Sequence, residues 1–161
     1  MFRTVFASKA VAAAGNYSAG DILSESASNG VGTAWEFKNI VESGKSGRIV
    51  SGFLTCSAGA VAVGYKLHLF KDNPSSSELD DNAALNIAAA DQASYIGLLI
   101  FEAAADRGDV ASARSIITSM PIGFICKNNI LYGILEDPTG ETGEVAGMTV
   151  TIYLTAETEQ G

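Results

Sequence analysis

The sequence predicts an all-β fold, an antiparallel two-sheet sandwich that is jelly-roll-like, with about eight strands and one short helix or helical turn. Seventeen glycines and only 3 prolines are present, and the glycines separate short apolar runs, as is typical of β domains with many turns. Several of these runs alternate apolar and polar residues, as strands with one buried face do. The 161 residues, 47% of them hydrophobic, suffice for one core. We therefore expect a single domain over residues 1–161, in which residues 1–19 can form an N-terminal arm.

The clearest strand lies near the C-terminus, where apolar residues alternate with hydroxyl-bearing ones. Its apolar face consists of Met148, Val150, Ile152 and Leu154, and its hydroxyl-rich face of Thr149, Thr151, Tyr153 and Thr155. Residues 130–135 form a second run that is apolar on both faces. Such a run predicts a central strand that is covered on both sides.

The remaining strands and the helix follow from the same reasoning. Further strands are expected at 2–7, 35–41, 48–56, 62–70, 95–103 and 115–126. Within 48–56, Ile49, Ser51, Phe53 and Thr55 should share one face, and Pro121 should interrupt 115–126. A short helix is expected within 83–90, preceded by a capping-box pattern at Ser75 and Glu78. Residues 109–118 are a weaker helical candidate, because they include β-branched residues.

Composition restricts the classes of partner. The formal net charge is -8, and no run of basic residues is present. Binding of nucleic acid or of an anionic membrane surface relies on such runs, so neither is expected. No apolar stretch reaches the length of a membrane-spanning helix. Cys56 and Cys126 lie in apolar segments, which predicts reduced core residues, with a single disulfide as the alternative.

The residues that usually carry chemistry form no recognisable site. His68 is the only histidine, and a Ser–His–Asp triad or a His-containing zinc site would need partners that the sequence does not identify. We expect it on a sheet face or at an interface. The segment Gly44-Lys45-Ser46-Gly47 lacks the first glycine of a phosphate-binding loop and precedes a predicted strand instead of a helix. Gly30-Val31-Gly32 lacks the third glycine of a dinucleotide fingerprint and is interpreted as a turn.

Carboxylates leave two alternatives open. Glu78, Asp80, Asp81 and Asp91 form an acidic loop that calcium could use, although their spacing fits no EF-hand and turn formation in a solvated loop is the favoured explanation. A glycosidase-type pair among the scattered Glu36, Glu42, Glu102 and Glu136 has no spacing rule to test. The sequence thus predicts no catalytic, cofactor-binding or metal-binding residues, and a protein that is not an enzyme.

One family resemblance adds a function. The chain carries the run 67–74, the Asp-Asn-Ala segment 81–85, Asp91, the segment Tyr95-Ile96-Gly97, the strand 131–135 and the final alternating strand. In this order they resemble small β-sandwich proteins encoded among the virion genes of tailed bacteriophages, over roughly residues 60–155. The motifs are hydrophobic patterns with turn residues, and none of them carries a catalytic group.

The resemblance implies a jelly-roll capsid decoration protein, also called a cement protein. Such proteins often sit as homotrimers on the capsid surface of the virion after assembly in the host cytoplasm. The partner would be the major capsid protein, and the role would be to bridge neighbouring capsid subunits of the expanded shell. No cofactor is implied. Phe2, Trp35 and Phe70 are candidate interface anchors, with simple core packing as an equal alternative for each, and the hydroxyl-rich face of the last strand is a further candidate contact.

Two other functions remain as alternatives. The first is a tail, baseplate or fibre-associated phage module that binds host glycans, which would need exposed aromatics beside amide or carboxylate groups. The second is a cupin-like or glycan-cleaving enzyme, which the single histidine disfavours.

Overall fold

A computed structural model of the protein describes residues 1–12, 17–58, 61–106, 113–117, 121–140 and 143–158. The predicted all-β class is confirmed, since these residues form eleven strands and one helix. The elements are β1 (Phe2–Ala10), β2 (Asp21–Leu23), β3 (Trp35–Lys38), β4 (Ser46–Cys56), β5 (Lys66–Phe70), α1 (Ala89–Gln92), β6 (Tyr95–Ile100), β7 (Ala105–Asp106), β8 (Ala113–Ile116), β9 (Ile122–Ile125), β10 (Ile130–Asp137) and β11 (Thr149–Thr158).

The strands form two antiparallel sheets. Sheet A has the order β1-β11-β4-β8-β7, and β9 pairs with β4 beyond the end of β8. Sheet B has the order β2-β10-β5-β6, and β3 follows β2 along the same edge of β10. If β2 with β3 and β8 with β9 are each taken as one interrupted strand, and the two-residue β7 is set aside, eight strand positions remain. Their order, 1-8-3-6 in one sheet and 2-7-4-5 in the other, is that of a jelly roll.

The core lies between the two sheets. The inward side of β11 is fully buried, as its sequence predicts, and β10 is paired on both of its edges. Cys56 and Cys126 are buried and unbonded, in agreement with reduced core cysteines. Burial raises the pKa of the Cys56 thiol to about 12 and that of Cys126 to about 11, so both stay protonated at neutral pH.

Two predicted strand details are wrong. Ile49 does not share a face with Ser51, because the pairing with β11 shifts there: Thr155 pairs with Ser51 and Ala156 with Ile49. This β-bulge inserts Val50 and turns Ile49 into the core. The strand predicted at 35–41 ends at Lys38, because Asn39 adopts a left-handed backbone with φ 60°.

The predicted helix position is also wrong. α1 covers Ala89–Gln92 instead of 83–90, and the extended Ala88 before it makes no side-chain cap. No capping box forms, since the Glu78 carboxylate accepts hydrogen bonds from the backbone N–H groups of Leu79 and Asp80. Of the second helical candidate, 109–118, the described part forms strand β8 and the rest lies outside the described residues. No helix in the described part of the chain is long and apolar enough to cross a membrane.

Residues 71–94, which connect β5 to β6 and are called the strap below, cover the outer face of sheet B. Leu79, Leu85 and Ile87 of the strap pack on a second apolar cluster that faces away from the main core, formed by Ile22, Phe70 and Ile134 with Tyr132. The strap also pairs with the free edge of β2, where Ile22 N–H donates to the Ala83 carbonyl at 2.9 Å and Asn82 N–H to the Ile22 carbonyl at 2.8 Å.

Buried carboxylates fasten the strap to the rest of the chain. Asp80 accepts hydrogen bonds from the backbone N–H groups of Gly30, Val31 and Gly32 at 2.7, 3.1 and 2.8 Å. Asp81 accepts from the Ser24 N–H at 2.6 Å and from the Tyr17 hydroxyl at 3.0 Å. Each carboxylate therefore satisfies backbone or hydroxyl donors of the segment that leads from β1 to β3.

Gly32 makes this close approach possible and provides a test. A Cβ atom there would lie 2.0 Å from the Leu79 carbonyl oxygen, whereas one at Gly123 would have nothing within 4 Å. We expect Gly32→Ala to lower the free energy of unfolding by about 3 kcal/mol, the upper range for overpacking. Urea denaturation followed by Trp35 fluorescence measures this, with Gly123→Ala as the matched control.

We expect Gly123→Ala to change the free energy of unfolding by less than about 0.5 kcal/mol. Equal stabilities of the two variants would mean that the strap does not dock on the segment around Gly32.

Candidate functional site

The carboxylates of the acidic loop that was considered as a calcium site accept hydrogen bonds from groups of the protein itself. Asp80 and Asp81 hold the strap, and Asp91 accepts from the Ser76 N–H at 3.0 Å and the Ser77 hydroxyl at 2.7 Å. Glu78 accepts hydrogen bonds from the backbone N–H groups of Leu79 and Asp80. Each of the four carboxylates therefore binds its own set of hydrogen-bond donors. Among the residues that the structure describes, no group of three or more ligating side chains is placed to hold a metal ion.

His68 lies on the outer face of sheet B, as a sheet-face histidine should. Its Nε2 is 2.7 Å from Glu136 Oε2, and its Nδ1 is 3.3 Å from the Tyr95 hydroxyl. Lys66 Nζ lies 3.6 Å from the other oxygen of Glu136. Burial and then the charge of Glu136 raise the pKa of Tyr95, which keeps the phenol protonated at neutral pH. The sequence did not reveal these partners, because they come from three strands.

The two glycine-rich segments are turns. Gly44 adopts φ 75° and Ser46 begins strand β4, so no helix follows Lys45. The backbone of Gly30-Val31-Gly32 binds the Asp80 carboxylate. Neither segment has the strand–loop–helix setting that phosphate binding by these motifs requires.

A half-buried ion pair closes the edge of the sandwich between β1 and β3. Lys9 donates to the Glu25 carboxylate and to the Thr33 carbonyl, and also to the Thr33 hydroxyl at 2.9 Å. Its Nζ lies 5.5 Å from the centre of the Trp35 ring. Since the protons of the ammonium group are engaged in these bonds, the cluster holds β1 of sheet A next to β3 of sheet B.

The outer face of sheet A, called the open face below, presents a continuous apolar row. Phe6 of β1 pairs with Tyr153 of β11, Tyr153 with Phe53 of β4, and Phe53 with Ile116 of β8. Phe6 is 64% exposed, Ile116 52% and Phe53 38%. The row therefore crosses four adjacent strands and remains accessible in the isolated chain. The name apolar row is used for these four residues.

Two rows of hydroxyl groups border the apolar row. One consists of Thr4, Thr155 and Ser51, and the other of Ser8, Thr151 and Thr55. The hydroxyls pair across strands, with Oγ1 of Thr4 2.9 Å from Oγ1 of Thr155 and Oγ of Ser8 2.9 Å from Oγ1 of Thr151. The hydroxyl-rich side predicted for the last strand is thus part of a wider surface.

This face is nearly free of negative charge. The described outward side chains of β1, β11, β4 and β8 include one carboxylate, that of Glu157. Arg48 forms an ion pair with it at 2.6 Å. The chain as a whole contains 18 acidic residues. Depletion of charge around a central group of aromatic side chains is the composition of a protein–protein interface core.

The predicted anchors divide between core and surface. Trp35 is 1% exposed and Phe70 0%, so for these two residues the structure supports the core-packing alternative. Phe2 is 68% exposed and lies at the end of β1 on the open face. The sequence analysis missed Phe6, Phe53 and Ile116, although each alternates with inward-facing residues of its strand.

The ring geometry bears on what the open face can bind. The rings of Phe53 and Tyr153 stack on each other, with centroids 4.4 Å apart and an interplanar angle of 12°, and Phe6 is tilted against Tyr153 at 5.7 Å. Because the Phe53 and Tyr153 rings stack, the two ring faces that meet cover each other and are closed to a sugar ring, which packs on an aromatic face.

Comparison with known proteins gives distant likenesses only. No protein-family profile matches the sequence, and no curated protein matches it. Among solved structures, the CBM35 of Abf62 from Cellvibrio japonicus covers 100% of this chain with 94% of its own length, at 10% identity and a TM-score of 0.33. A chain from the X-ray structure of Melon necrotic spot virus covers 98% of this chain with 55% of its own length, at 11% identity and a TM-score of 0.29. TM-scores this low do not establish a shared fold, so the jelly-roll assignment rests on the strand order itself.

The Lys9–Glu25 pair predicts a particular acid sensitivity. Burial acts to raise the pKa of Glu25, but hydrogen bonds from Lys9, Thr33 and Ser24 outweigh it and hold the pKa at about 2, below the ordinary value of 4.5. A carboxyl group with a depressed pKa stabilises the fold above its unfolded pKa, and this contribution is lost as the pH falls through the folded value.

We therefore expect Glu25→Gln to lower the free energy of unfolding at pH 7 and to flatten its loss between about pH 4.5 and pH 2. Guanidinium denaturation across this range measures the effect. Asp72→Asn is the control, because Asp72 pairs with Lys127 on the exposed surface, away from Lys9. Parallel pH profiles of Glu25→Gln and the unmodified protein would contradict the assignment.

Proposed function

We propose that this protein is a structural component of a virion, a decoration protein that binds the expanded capsid of a tailed phage and bridges neighbouring subunits of the major capsid protein. The open face of sheet A is the docking surface in this proposal. The single observation that carries it is the exposed apolar row, bordered by hydroxyl groups and without an unpaired carboxylate, on a chain of net charge -8.

The chemistry of the open face supports a protein partner. Hydroxyl groups can exchange hydrogen bonds with backbone or side-chain groups of a neighbour, and covering them leaves no described carboxylate buried without a partner. The exposed Phe6 and Phe53 are suited to the centre of such a contact, because aromatic side chains dominate interface energetics. Sheet B offers no comparable surface in its strap-covered part.

The jelly-roll body suits a mechanical role. A protein that binds only the expanded shell stabilises that state by linkage, and many weak contacts repeated over a symmetric shell add through effective concentration. We place the homotrimer on the shell, where threefold positions supply the symmetry. Each copy then presents its open face to the same kind of contact, and no catalytic chemistry is required.

The glycan-binding alternative has less support. The open face carries exposed aromatics, but the Phe53 and Tyr153 rings cover one face of each other, and the flanking groups are hydroxyls in place of the amides or carboxylates that a sugar site would need. A glycan array incubated with the whole protein separates the two functions, because a decoration protein should bind no glycan on it.

Substitution of the apolar row tests the proposal. We expect Phe6→Ser with Phe53→Ser to weaken co-sedimentation with expanded, DNA-free capsids of the encoding phage by about 100-fold, a typical loss for two interface anchors. Val31→Ser is the matched control, since Val31 is 58% exposed but lies in the turn that contacts the strap. It should bind as the unmodified protein does.

The number of copies in purified particles gives a second test. Quantitative mass spectrometry should find a ratio to the major capsid protein near one. A few copies per particle would instead favour a tail or fibre component, and complete absence from particles would overturn the virion assignment.

A further inference from the structure

We infer that, away from the capsid, two copies of this chain cover each other's open face and form a reversible dimer. The dimer would hide the apolar row until a capsid competes for it. The inference of a dimer is argued from the open face alone, whereas its consequence, regulation of capsid docking, rests on the proposed function. In both cases the same open face is covered, either by a second copy of the chain or by the capsid.

The arrangement of rows on the open face is self-complementary. The apolar row lies between two hydroxyl rows that occupy the same three strands, β1, β11 and β4. Consider two copies whose open faces meet, with a twofold axis between them that runs parallel to the apolar row. Rotation about this axis places the apolar row of one chain on the apolar row of the other. The same rotation places the Thr4 row of one chain on the Ser8 row of the other. Apolar groups then meet apolar groups, and hydroxyls meet hydroxyls, as an isologous interface requires.

Charge favours this face over the rest of the surface. Two chains that each carry a net charge of -8 repel one another. Contact through the open face brings few carboxylates together, because Glu157 is paired with Arg48 and the remaining charge among the described outward side chains there is the cationic Arg114. The acidic residues of both copies then lie away from the contact.

The size of the face sets the expected strength. Strands β1, β11 and β4 are about 30 Å long and about 4.8 Å apart, and the four residues of β8 add about 13 Å, so the face covers about 500 Å², or about 1,000 Å² for the two partners. This area lies at the low end of interface sizes, where complexes are weak and transient, so we expect a dimer that dissociates in the micromolar range. A weak dimer can yield to a capsid, where contacts are repeated many times.

Sedimentation equilibrium of the full chain, from low to high micromolar concentration, tests the inference. We expect a monomer–dimer equilibrium that Phe6→Ser with Phe53→Ser weakens by about 100-fold. Thr151→Glu, which leaves the aromatic rings in place, should weaken it by about tenfold or more, because the new carboxylate would be covered by the Thr4 row of the other copy without a charged partner. Val31→Ser should leave the equilibrium unchanged, and thermal unfolding of each variant confirms that it is folded.

Salt gives an independent readout. Raising the ionic strength from about 0.02 M to about 0.5 M should strengthen the dimer, because it screens the repulsion between two acidic chains. An interface built on ion pairs would weaken instead. A monomer at every concentration, a trimer in solution, or a dimer that folded Phe6→Ser with Phe53→Ser and Thr151→Glu variants leave intact would each overturn the inference.

These outcomes are distinct from those of the capsid experiment. A monomeric protein that still co-sediments with capsids would remove the solution dimer and leave the decoration role. A dimer that depends on the apolar row but never binds capsids would remove the decoration role and leave the self-association.

Discussion

The hydrogen bonds that hold the strap on sheet B determine which surface this protein can offer to a partner. A sandwich of two sheets has two outer faces, and an apolar cluster on either one has to be covered. Here Asp80 and Asp81 accept hydrogen bonds from backbone N–H groups and a hydroxyl group of the segment between β1 and β3. These bonds fix the strap over the second apolar cluster around Phe70. Sheet A has no corresponding cover in the described part of the chain, and its apolar row remains exposed.

The open face is therefore a property of the whole jelly roll. Strand β11 lies between β1 and β4, so the first and last strands and one from the middle of the chain contribute to a single surface. The Lys9–Glu25 pair keeps β1 at its place beside β3, and with it Phe6 at the end of the apolar row. The stacked rings and their hydroxyl borders together make up the open face.

The sequence predicted those parts of the fold that depend on local patterning. The alternation in β11 identified both of its faces, because a strand buried on one side alternates apolar and polar residues. The continuous apolar run of β10 identified a central strand, because a strand buried on both sides is apolar at successive positions. The helix was misplaced because residues 82–85 pair with the edge of β2. A tertiary contact overrode the local helix signal there. Likewise, the bulge at Val50 could not be foreseen from β4 alone, since it exists only in the register with β11.

The candidate site was only partly predictable for the same reason. The hydroxyl side of the last strand was visible in the sequence, but the apolar row joins residues that are far apart along the chain, such as Phe6 and Tyr153. Trp35 and Phe70 were chosen as anchors by residue type, yet both are needed in the interior. Only the strand order shows which aromatic side chains remain for a partner.

Hydroxyl-radical footprinting of Phe6, Phe53 and Tyr153 in purified particles tests the central claim most directly, with the dilute isolated protein as reference. The open face should be labelled strongly in the dilute protein and protected in particles, while Val31 and Val145, which are also exposed in the isolated chain, should be less affected. Equal labelling of the apolar row in both states would show that the open face of sheet A is not the surface by which this protein binds its partner.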